Sequence, residues 1–88
     1  MCTTISHRAA VSGSGKGPRG WFRLDHVHVG YDHPYHAPFE HAVSVDFVDE
    51  AAGARVAVEL SRDSTRELIR QLQATLDQAD AYEAETPA

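Results

Sequence analysis

The chain is predicted to be α+β, a four-stranded, mostly antiparallel sheet followed by one C-terminal helix packed on one face. Three observations predict it. Val43, Val45 and Phe47 alternate with polar residues on one side of a Glu50–Ala54 turn, and Val56, Val58 and Leu60 do so on the other. Two extended stretches precede this hairpin, separated by the Gly- and Ser-rich segment 12–20. After Leu60 the apolar spacing becomes helical, at Leu68, Ile69, Leu72 and Leu76.

The first strand is expected over Cys2–Val11, with Ile5, His7, Ala9 and Val11 on one face. Ser12–Gly20 is a loop by composition. The second strand, Trp21–Tyr31, has no cleanly apolar face, which predicts a bulge or a sheet covered on both sides. The third spans His41–Asp49 and the fourth Arg55–Leu60. Ser61 or Asp63 can cap a helix running to about Ala81. The single domain is thus expected over residues 1–81, with Tyr82–Ala88 a frayed acidic tail. One helix covers only part of one sheet face, so a homodimer or larger homo-oligomer is expected.

Composition narrows the function classes. The 88 residues carry a formal net charge of −5, and residues 45–88 hold ten acids against four arginines. That balance argues against nucleic-acid binding, whose footprint is a basic patch. No long apolar run exists to span a membrane, and the N-terminus lacks the apolar segment of a secretory signal. One cysteine forms no intrachain disulfide, which fits a reducing cytoplasm.

The chemistry concentrates between Tyr31 and His41, which hold three of the six histidines, two carboxylates, two prolines and three aromatic rings. Imidazole nitrogen and carboxylate oxygen ligate zinc, iron, copper or nickel, and two prolines lower the entropy cost of converging them. The candidate ligands are His33, His36 and His41, with His7 approaching from the first strand and Glu40 completing or tuning the site. A divalent transition metal there would act as a Lewis acid or activate water on a small organic substrate. Without a metal, the segment is a histidine-rich surface loop packed on Tyr31, Tyr35 and Phe39, or these rings line a pocket in a non-catalytic module for small-ligand binding or oligomeric interaction.

His26 and His28 form a second ligand set on one strand face. The pair resembles the first half of the cupin motif, but Asp32 stands where that motif has glutamate, and the chain is short for a cupin barrel. Gly13–Gly17 departs from a phosphate-binding loop, because Gly17 and Pro18 follow Lys16 where Ser or Thr and a helix are needed. A lesser role is a flexible lid in which Lys16 meets an anionic substrate. Cys2, exposed at the N-terminus once Met1 is removed, is either a nucleophile or ligand, or a small buried strand residue.

Taken together, Met1-Cys2-Thr3, the Gly13–Gly17 segment with Gly20-Trp21, Tyr31–Pro34 with His36, Glu40-His41-Ala42 and Arg55–Leu60 resemble a small bacterial family of unknown function. The resemblance implies one complete domain and supplies no substrate.

Overall fold

The computed structural model describes residues 5–85. It is a four-stranded antiparallel sheet in the order β1-β2-β3-β4, followed by one helix. The strands are β1 (Ile5–Gly17), β2 (Gly20–Asp32), β3 (Ala42–Asp49) and β4 (Ala54–Leu60), and the helix is α1 (Arg62–Glu85). The predicted α+β architecture is borne out. Cys2–Thr4, the start of the expected first strand, lie outside the described residues.

β1 runs six residues beyond the expected end at Val11. The Gly/Ser segment is not a loop but the far half of a long hairpin, with Gly13 opposite Leu24 and Lys16 opposite Trp21. Glycine suits it because the β2 side chains lie across its backbone. A Cβ on Gly15 would stand 3.2 Å from Phe22 Cζ and 3.3 Å from Leu24 Cδ2. The hairpin turns at Pro18-Arg19, and Gly20 has φ 108°, a conformation that favours glycine.

A bulge lies in β1, opposite the second strand with its mixed faces. Ala10 pairs with His26 and Gly13 with Leu24, so Val11 and Ser12 together stand opposite Asp25. A bulge adds twist and re-aims neighbouring side chains.

The register sorts the strands into two unlike faces. Val29, Val45 and Val58 form one cross-strand row, and Val27, Phe47 and Val56 the next. The opposite face carries His26, His28, Ser44, Asp46, Arg55 and Glu59. Among the described residues only Leu24 and Ala42 are buried hydrophobics, and both belong by strand parity to the polar face.

Ser61 caps α1, its Oγ accepting from the Ser64 amide at 3.1 Å and its carbonyl from the Thr65 amide at 2.9 Å. The helix continues past the expected end at Ala81, so Tyr82–Glu85 are helical. Its apolar stripe departs from expectation. No helix residue is buried, and Leu72 and Leu76 are 58% and 57% exposed. Ser61 alone joins β4 to α1, whereas such connections ordinarily take two to six residues. A one-residue joint restricts how the helix turns back onto its own sheet, and its principal sheet contact is with β3. No helix among the described residues is long and apolar enough to cross a membrane.

Candidate functional site

The histidine-rich segment, residues 33–41, joins β2 to β3 and closes over one end of the polar face. Glu59 of β4 holds it there. Its carboxylate accepts the backbone N–H groups of Tyr35 at 2.5 Å, His36 at 3.0 Å and Ala37 at 2.9 Å. These donors, the Ala37 amide foremost, keep the Glu59 carboxyl below the usual glutamate range. Loop amides lack a strand partner, and one carboxylate satisfies three of them.

The rings of this segment stack rather than converge on a point. His33 and His41 lie with centroids 4.5 Å apart, and His41 lies 5.5 Å from Tyr31. His33 Nδ1 is 3.0 Å from the Glu40 carbonyl oxygen, an arrangement that places a proton on Nδ1. His7 pairs with Val29, two positions along β1 from the Ile5–Tyr31 pair. Among the described residues, no three of His7, His33, His36, His41 and Glu40 bring ligand atoms within 4.8 Å of one another. Beneath the loop is a cavity of about 470 Å³, lined in part by Tyr35, His36, Ser44, Asp46, Arg55 and Glu59.

One group among the described residues does converge. Asp25, His26 and Glu50 place ligand atoms within 4.8 Å of one another. His26 Nδ1 lies 2.9 Å from Asp25 Oδ1 and 2.6 Å from Glu50 Oε1. Three local features assemble it. His26 is held in register by Ala10 and Val48. Asp25 stands opposite the β1 bulge, where the ladder is interrupted. Glu50 opens the β3–β4 turn, which Gly53 closes with an N–H to the Asp49 carbonyl at 2.9 Å and φ 73°.

The charges of the cluster interlock. The bond from His26 is the main reason the Asp25 carboxyl sits below its ordinary value, with the Glu50 amide and Arg8 adding to it. Arg8 donates to Glu50 Oε1 and holds that carboxylate on the His26 side. His26 is largely covered, its side chain 23% exposed, while both carboxylates reach solvent. Ligands around one ion at about 2.0–2.2 Å stand roughly 3 Å from each other, close to the spacing found here.

Of the sequence candidates, then, only His26 of the alternative pair enters a convergent cluster. His28 follows on the same face and lines a separate cavity of about 220 Å³ that Glu50 also borders. Asp25, Glu50 and Glu59 were not candidates. Their signal was strand register, which brings Asp25 beside the start of the β3–β4 turn and Glu59 beneath the loop. Lys16 and Glu40 do not meet. Lys16 pairs with Trp21, eleven residues along β2 from Asp32, which is about 36 Å of strand. A lid built on Lys16 therefore sits at the far end of the sheet from the histidine-rich loop. Cys2 lies outside the described residues.

A family model described as a family of unknown function, DUF6295, matches residues 1–85, and the chain belongs to that family. The resemblance drawn from its motifs to a family of unknown function is thereby borne out. No curated protein matches the chain, and no solved structure does.

Proposed function

We propose that this member of the family is a small metal-binding domain whose ion is held by Asp25, His26 and Glu50. The observation that carries the reading is the convergence of one imidazole nitrogen and two carboxylate oxygens from β2 and the turn after β3. Two carboxylates balance a dication, and the imidazole favours zinc, iron, copper or nickel over magnesium or calcium. Arg8 would then orient Glu50 from outside the ligand set. Three protein ligands leave coordination positions for water or a small organic substrate, on which the ion would act as a Lewis acid.

The test is zinc uptake by metal-stripped, tag-free protein, followed by calorimetry and elemental analysis. One equivalent is expected for the wild type, with loss in His26→Ala and in Glu50→Gln. His33→Ala, His36→Ala and His41→Ala should retain it. Loss confined to those three would move the site into the loop. Absence of uptake across zinc, iron, copper and nickel at neutral pH would overturn metal binding.

The cavity beneath the loop supports a second reading, a binding site for a small polar ligand without metal. Its volume of about 470 Å³ lies within the range of small-molecule sites. Asp46, Arg55 and Glu59 supply both signs of charge, Arg55 lying 3.2 Å from Asp46. Glu59→Gln should weaken such binding while leaving zinc stoichiometry unchanged.

A further inference from the structure

Independently of any metal, we infer that the chain is a two-fold dimer in which each copy lays α1 across the valine face of the other. The face is continuous and apolar, with Val29-Val45-Val58 and Val27-Phe47-Val56 in adjacent rows. Among the described residues none of these six is buried: five are half-buried and Val58 is 40% exposed. A sheet face of this composition is ordinarily packed against a second layer.

The same chain carries a matching layer that it leaves exposed. α1 is 24 residues long, and Leu68, Ile69, Leu72 and Leu76 run along one side of it, all exposed. Ser61 is the whole connection to β4, and its side chain is already engaged as the helix cap. Short hinges that forbid closure within a chain favour exchange of the element between two chains.

Dimensions agree. Four strands about 4.8 Å apart and some seven residues long present roughly 440 Å² of face. A 24-residue helix, about 36 Å long and 10 Å across, presents roughly 360 Å². A helix about 10 Å across laid along about 23 Å of strand covers roughly 230 Å² of that face, so each copy buries roughly 460 Å² in helix and sheet strips together, toward the lower end of specific interfaces. A second copy of this chain therefore supplies both the missing layer and the missing face.

Light scattering on the eluting full chain tests the assembly without any variant, and a mass of twice the 9.6 kDa chain is expected. The exchange is tested in a Cys2→Ser background with Leu72→Cys in one preparation and Val45→Cys in another. Mixed, equilibrated and oxidised, they should form a disulfide joining the two preparations, while Arg19→Cys in place of Leu72→Cys should not. A folded monomer overturns the proposal. So does crosslinking only within each preparation, which means helix on helix and sheet on sheet. A double variant that closes its disulfide inside a single chain also overturns it, because the helix would then reach its own sheet.

Discussion

Glu59 shows how one half-buried carboxylate organises nine residues of loop. Its oxygens take the amides of Tyr35, His36 and Ala37, and those bonds favour the ionised form. The folded value is depressed, so the contribution is present above glutamate's ordinary 4.5 and is lost as pH falls below it. Protection of the Tyr35, His36 and Ala37 amides, taken against their intrinsic exchange rates at each pH, should fall over that acid window, and Glu59→Ala should show the low protection already at neutral pH. Exchange rates unchanged in Glu59→Ala would mean that other contacts hold the loop. Asp25 obeys the same sign. Its carboxyl is lowered chiefly by the bond to His26, so its contribution fades as pH drops below 3.8.

Among the elements, the β1–β2 hairpin depends on residues without side chains. Gly15 passes beneath Phe22 and Leu24 with no space for a Cβ at ordinary contact distance. Gly15→Val should displace the Phe22 and Leu24 side chains and cost about 1–3 kcal/mol, read as a lower urea midpoint. An unchanged midpoint would show that the Phe22 ring yields without loss. At the other end of the chain, Ser61 joins strand to helix and caps the helix at once. Ser61→Ala should lose about 1 kcal/mol and helical circular dichroism together. A loss of stability with the helical signal intact would place the effect in the strand instead.

At the scale of the whole molecule, two buried hydrophobic residues among those described are too few to hold a sheet of four strands. The large apolar surfaces lie on the outside, on the valine face and along α1. Assembly that covers them couples folding to concentration. The melting temperature should therefore rise between about 1 μM and about 100 μM protein, as expected for an obligate dimer. A melting temperature independent of concentration would show that the isolated chain is stable with both surfaces in water.

Local pattern was enough for what depends on neighbours in the chain. The alternation around the Glu50–Ala54 turn identified β3 and β4, and the spacing from Leu68 to Leu76 with Ser61 ahead identified the helix and its cap. The mixed faces of Trp21–Tyr31 called for a bulge or a sheet covered on both sides, and a bulge lies opposite them, in β1. Composition misled at Ser12–Gly17, because glycines that make room for Phe22 and Leu24 are indistinguishable in sequence from glycines that make a loop. Histidine density pointed to residues 33–41, yet convergence is a property of positions in space. Strand register set Asp25 and His26 beside Glu50, 25 and 24 residues further along the chain, and set Glu59 beneath a loop 22 to 24 residues away. The helical stripe was legible, but not what it faces. That is settled by tertiary packing, in which no helix residue beyond the one-residue joint at Ser61 is buried and Leu72 and Leu76 stay more than half exposed.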